Sequence, residues 1–72
     1  MKKAIIFASN MYKGELKVKE LGYNPSECII ISANYSHDKQ KEMIRGYWKH
    51  VLIDKTVKLY GISEEGFRNL YM

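Results

Sequence analysis

Three short apolar runs, none interrupted by a charge, constrain the fold of this 72-residue chain more than any other feature. They are Ala4 to Ala8, Cys28 to Ser32 and Val51 to Ile53. A strand covered on one face alternates apolar and polar residues. A continuous run is the pattern of a strand covered on both faces, as in a parallel sheet. The segments between the runs are polar and long enough to serve as crossover helices, so the expected order begins β-α-β-α-β.

Local signals fill in this frame. Met11 to Leu21 is rich in Lys, Glu and Leu, carries Tyr12, Leu16, Val18 and Leu21 as anchors, and is followed by Gly22 where a helix C-terminus favours glycine. Asn24-Pro25-Ser26 then forces a turn, because Pro25 disfavours a helical conformation at Asn24 and cannot donate to a strand ladder. A second helix starts at Ser36 or His37, with Asp38 in its first turn and Met43, Ile44, Tyr47 and Trp48 gathered at its far end. Gly46 ends or kinks it, leaving Tyr47 and Trp48 to pack over the sheet edge. Thr56 to Tyr60 alternate Val57 and Leu59 with Lys58 and form a candidate fourth strand at an edge guarded by Lys58. Ser63 is an N-cap, Glu64 and Glu65 suit the first turn of a terminal helix running to about Tyr71, and Ile62 can staple onto Phe67.

The expected fold is therefore a single α/β domain over residues 1–72. It has a small sheet of three or four parallel or mixed strands, crossover helices, Rossmann-like topology and a short C-terminal helix. A domain this short buries only about 60% of the surface of its unfolded chain, so a second copy as homodimer partner is a natural source of added stability. Cys28 is the only cysteine, which argues against a disulfide framework and for a reducing, cytoplasmic setting. The N-terminal apolar run is about five residues, short of the roughly 7–15 of a signal-peptide core. No stretch approaches a membrane span.

Function is constrained more weakly. Twelve Lys+Arg against eight Asp+Glu give a net charge of +4, which favours nucleic acid or an acidic protein face as partner. No glycine-rich phosphate loop is present: Ser9-Asn10-Met11-Tyr12-Lys13-Gly14 has one Gly and one Lys in the wrong order for a Walker A sequence. Neither a metal cluster nor a nucleophile-base-orienter set can be assembled from His37, His50 and an apolar-flanked Cys28, so no catalytic residue, metal or cofactor is expected.

Three candidate surfaces emerge. The first uses aromatic and basic residues to bind a protein partner: Arg45, Tyr47, Trp48 and Lys49, with Tyr35 and Lys55. Tyr, Trp and Arg give large contact area at low entropy cost, and Tyr60, Tyr71 and Met72 extend the same aromatic character to the C-terminal segment. The second is a basic face for nucleic acid through Lys13, Lys17, Lys39, Lys41 and Arg45. The third is a polar rim at the strand C-terminal ends, formed by Ser9, Asn10, Ser32, Asn34, Asp54 and Lys55, where open α/β sheets bind nucleotides or phosphates. The same residue types also serve as ordinary caps and turn residues.

Two resemblances add to this. Leu52-Ile53-Asp54-Lys55-Thr56 resembles the start of the aspartyl-phosphate signature of haloacid-dehalogenase-like proteins and P-type ATPases, with Val57-Lys58 replacing its Gly-Thr. More broadly, Lys3 to Ser9, Lys19-Glu20-Leu21-Gly22-Tyr23, Glu27 to Ser32 and Ile44-Arg45-Gly46 resemble a group of small phage-encoded Rossmann-like proteins. Some of these look like a trimmed P-loop NTPase or helicase domain without its phosphate loop. The resemblance covers about residues 3 to 54. It implies a phage or mobile-element origin, cytoplasmic action in a bacterial host, and work done by binding a host or phage protein rather than by catalysis.

Overall fold

Side chains alternate along each strand of a twisted sheet, and here both sets are apolar, so helices must cover both faces. The computed structural model describes all 72 residues and shows this arrangement. Strand β1 (Ala4–Ala8) lies between β2 (Cys28–Ser32) and β3 (Lys58–Tyr60), and both pairings are parallel. Ala4, Ile6 and Cys28 face Val18 of helix α1 (Met11–Leu21). Ile5, Ile29 and Ile31 face the other way, into a core with Ile44, Val51, Phe67 and Tyr71. Those residues come from α2 (His37–Ile44), α3 (Trp48–Leu52) and α4 (Glu64–Tyr71). The result is a three-layer α/β domain with one helix on one face and three on the other.

The helix ends follow from their capping residues. Asn10 Oδ1 accepts from the Lys13 N–H at 2.8 Å to start α1, and Gly22, at φ 82°, closes it in the left-handed conformation that glycine adopts without strain. Ser36 and Ser63 cap α2 and α4 in the same way, accepting from Lys39 N–H at 3.2 Å and Gly66 N–H at 3.0 Å. Gly14 is buried where α1 crosses β2, and a Cβ there would run into the Ile30 side chain. Its missing side chain is what lets α1 sit close to the strand.

One expected strand is a helix. Val51 to Ile53 falls in α3 and the turn beyond it: the Val51 N–H donates to Tyr47 C=O and the Ile53 N–H to Lys49 C=O, both at 3.0 Å. Only Val51 of this run is buried, whereas Ile53 is 74% exposed. A short apolar run fits either conformation, and length alone does not separate them. The third strand is instead β3, inside the stretch Thr56 to Tyr60. There Val57 is buried in the larger core, exposed Lys58 starts the pairing with Ala4, and Lys58 N–H donates to Lys3 C=O at 3.0 Å. The alternation of Val57 and Leu59 with Lys58 was the better strand signal because it matches an edge strand.

Candidate functional site

Helix α2 carries Asp38, Lys41 and Glu42, and its C-cap is Arg45; their spacings of three, four and seven from Asp38 place them along one side of the helix. At Gly46 the backbone turns with φ 85°, ending α2 and starting α3 at Trp48. The indole of Trp48 packs on Phe67 of α4, with ring centroids 5.2 Å apart. These elements enclose an open groove of about 670 Å³. The α2 charges form one wall, Trp48 lies in the floor, and Tyr71 and Met72 form the other wall.

Tyr71 is fixed on both sides. Its hydroxyl donates to Gln40 Oε1, and the His37 ring stacks on it at 5.4 Å with planes 8° apart. Burial raises the Tyr71 phenol above its ordinary value, so it stays a neutral donor through the physiological range. The charged wall is looser. Arg45 reaches Glu42 at 3.7 Å with both side chains largely exposed, and Lys41 has no carboxylate partner. An exposed pair of this kind contributes little and exchanges readily for an incoming group.

The six residues expected to bind a protein partner are not all together. Arg45 and Trp48 line the groove, but Tyr47 does not. It turns to a separate hollow beside Met11, Ile30 and Met43, because a residue at a helix start and its neighbour point about 100° apart. Tyr47 does sit beside the sheet, as expected, whereas Trp48 packs on α4. Lys49 is exposed on α3, and Tyr35 lies under Lys39, whose Nζ is 4.0 Å from the ring centroid. Lys55, at φ 58°, pairs with Glu64 at 2.5 Å. Of the wider aromatic set, Tyr60 belongs to the α1 face, where its hydroxyl meets that of Tyr23 at 3.2 Å.

The basic set divides between helices on opposite faces of the sheet. Lys13 and Lys17 are on α1, Lys17 paired with Glu20 at 3.5 Å; Lys39, Lys41 and Arg45 are on α2. No one face carries all five.

The strand-end rim divides as well. Ser9, Asn10, Ser32 and Asn34 leave β1 and β2, but Asp54 and Lys55 lead into β3 instead of leaving a strand. Asn10 caps α1, and Ser32 Oγ accepts the Asn34 N–H at 3.2 Å, which are turn-forming roles. A cleft of about 410 Å³ does open where the strands end, reaching Ser9, Ala33, Gln40 and Gly61, but no cationic side chain lines it. Asp54 is likewise committed to its own turn. One carboxylate oxygen accepts the Thr56 hydroxyl at 2.7 Å and the Thr56 N–H at 3.1 Å, and the other lies 3.1 Å from His50 Nδ1. The Thr56 hydroxyl holds the Asp54 carboxyl below its ordinary value, with the Thr56 N–H and His50 adding to the effect. An Asp nucleophile presented by a preceding strand, as the aspartyl-phosphate resemblance implies, is not the geometry found here.

Cys28 is buried among Ala4, Ile6 and Val18, and burial raises its thiol, which keeps it protonated and unreactive. His, Cys, Asp and Glu side chains nowhere gather in threes, and no helix is long and apolar enough to cross a membrane. Of the groove residues, only Arg45 and Trp48 belong to the set expected to bind a protein partner; Lys41 belongs to the expected nucleic-acid face, Tyr71 and Met72 only to the aromatic extension, and Asp38 and Glu42 to no binding set. Their spacing with Lys41 and Arg45 was the available signal. No protein-family model matches the chain, and comparisons with curated proteins and with solved structures also give no match.

Proposed function

We propose that the protein is a non-enzymatic binding module that holds a segment of another protein in the groove between α2, α3 and the end of α4. The observation that carries this is the placement of the α2 charges across the groove from an aromatic and thioether lining made by Trp48, Tyr71 and Met72. An apolar side chain inserted there gains about 1.5–3 kcal/mol by leaving water, whereas each charge pair on the rim adds about 1 kcal/mol or less. The anchor therefore sets affinity and the rim sets partner choice.

The preferred segment carries one aromatic or long aliphatic anchor flanked by carboxylates, because Lys41 is unpaired and Arg45 only loosely paired. The wall also holds Asp38 and Glu42, which repel a polyanion, so a polypeptide suits it better than a nucleic-acid backbone. The resemblance over residues 3 to 54 would make the partner a host or phage protein met in the bacterial cytoplasm.

Selection from a displayed random-peptide library tests the proposal. The expected binders share an apolar anchor beside Asp or Glu and lose binding to the Lys41→Glu/Arg45→Glu double variant, while a Lys13→Glu/Lys17→Glu control retains it. Peptides that bind both double variants alike, or a selection that yields none, would overturn it.

A further inference from the structure

We propose that the outer edge of β2 joins a second copy of this chain in antiparallel pairing centred on Ile30, extending the sheet from three strands to six. Both outer strands of the β2-β1-β3 sheet are edges, but they differ. β3 has three residues and begins with exposed Lys58, which guards it, whereas the five residues of β2 include no charge and no proline.

The hydrogen-bond register identifies the unpaired groups. Ala33 N–H donates to Ala8 C=O, and Ala8 lies opposite Ser32, so the odd-numbered residues of β2 turn their backbone groups toward β1. Cys28, Ile30 and Ser32 turn theirs outward. Of these, Cys28 N–H is taken by Pro25 C=O, and Ser32 C=O by Tyr35 N–H and Gln40. The groups left are Cys28 C=O, both groups of Ile30, and Ser32 N–H. A two-fold axis at Ile30 makes this set self-complementary. Ile30 exchanges both bonds with its copy, and Cys28 C=O faces Ser32 N–H on either side. The groups that such pairing would leave facing each other, Cys28 N–H and Ser32 C=O, are the two already satisfied within the chain. A second copy supplies these four partners in the reverse order, which is why it is named as the occupant.

The edge is open at its centre. A hollow of about 430 Å³ is lined by Cys28, Ile29 and Ile30 in succession, with Lys2 at its margin, where its Nζ donates to Ser26 C=O at 2.8 Å. Their side chains point alternately to the two faces, so the hollow straddles the outer backbone of the strand. Met11 from α1 stands on one side and Met43 with Tyr47 on the other, apolar walls for a partner strand. Ser32 is 2% exposed, so the outer bonds form only as the side chains covering it yield, whereas Ile30 is only partly buried.

Sedimentation equilibrium over a concentration series, combined with amide exchange, tests this. The expected mass rises from 8.5 kDa to twice that, and the Ile30 amide becomes protected with concentration while that of Leu59 on the β3 edge does not. Met11→Glu, at a residue 37% exposed, is expected to weaken association at least tenfold and leave the circular dichroism spectrum unchanged. Glu65→Ala, at an exposed position in the first turn of α4, is expected to leave association unchanged. A mass that stays at 8.5 kDa at every concentration, or a dimer in which Ile30 gains no protection, would overturn the proposal. Neither result bears on peptide binding at Trp48.

Discussion

The indole of Trp48 rests on the ring of Phe67 at 5.2 Å, tilted by 51°, so the floor of the groove is anchored directly in the main core. Phe67 is fully buried and also meets Phe7 and Tyr71. Substitution there is a core mutation, whereas Trp48, half-buried, divides its surface between core and groove. Phe67→Ala is expected to cost about 3–5 kcal/mol. Trp48→Ala is expected to cost about 2 kcal/mol and leave a folded protein. Chemical denaturation measures both. A Trp48→Ala protein that does not fold would make the indole a core element and remove it from the binding surface.

Gly14→Ala has an unusual expected sign. In an exposed helix interior this change stabilises by about 1 kcal/mol. Here the new methyl group meets the Ile30 side chain, and overpacking of this kind costs about 1–3 kcal/mol. A thermal midpoint above that of the parent protein would show that α1 can lift away from β2 without penalty.

Acid is expected to weaken the fold through Glu27. Lys3 Nζ lies 2.7 Å from its carboxylate, and the Asn24 N–H donates to it at 2.9 Å. The Lys3 hydrogen bond, with that of Asn24, holds the Glu27 carboxyl below its ordinary 4.5. A group depressed in the folded state stabilises fully above its unfolded value and loses that contribution as pH falls through the folded one. Asp54, depressed from 3.8, acts in the same direction at lower pH. Thermal midpoints should therefore begin to fall as pH drops below 4.5, and Glu27→Gln should flatten the first part of that fall. An unchanged pH profile in the variant would refute this role for the Lys3–Glu27 pair.

At the alkaline end the hydroxyl pair of Tyr23 and Tyr60 acts in the opposite sense. The hydrogen bond between the Tyr23 and Tyr60 hydroxyls, followed by burial, pushes the Tyr23 phenol up to about 12. Folding favours the neutral phenol, so its contribution is complete below pH 10 and is lost as pH rises toward about 12. Ultraviolet titration should show a late tyrosine step near pH 12 that is smaller in Tyr60→Phe, Tyr71 being raised by burial in both proteins. If the step is undiminished in that variant, burial alone accounts for it.

Where a local signal and a tertiary contact agree, the chain was readable before folding. β1, α1, β2 and α4 have the expected positions because each carries its own punctuation: Asn10 and Gly22 around α1, Pro25 before β2, and Ser63 before α4. The third strand was misplaced because Val51-Leu52-Ile53 is more apolar than Lys58-Leu59-Tyr60. Pairing with β1 nevertheless falls to the less apolar segment, in which Lys58 stays exposed while Leu59 and Tyr60 pack partly buried on opposite faces. Half of the candidate site was legible in the same way. Asp38, Lys41, Glu42 and Arg45 share a helical stripe that spacing reveals. Their meeting with Tyr71 and Met72 depends on how α4 folds back over the sheet, which no local pattern encodes. The separation of Tyr47 from its neighbour Trp48 likewise follows from where α3 starts, with Tyr47 as its N-cap and Trp48 as its first residue.

The most direct test of the binding account is amide and indole chemical-shift mapping during titration with a selected peptide that has an apolar anchor and flanking carboxylates. The expected shifts gather on Asp38, Lys41, Glu42 and Arg45, on the Trp48 indole and on Tyr71, and are abolished by Lys41→Glu/Arg45→Glu. Shifts centred instead on Ser9, Ala33 and Gly61 at the strand ends, or on Lys13 and Lys17 of α1, would contradict it.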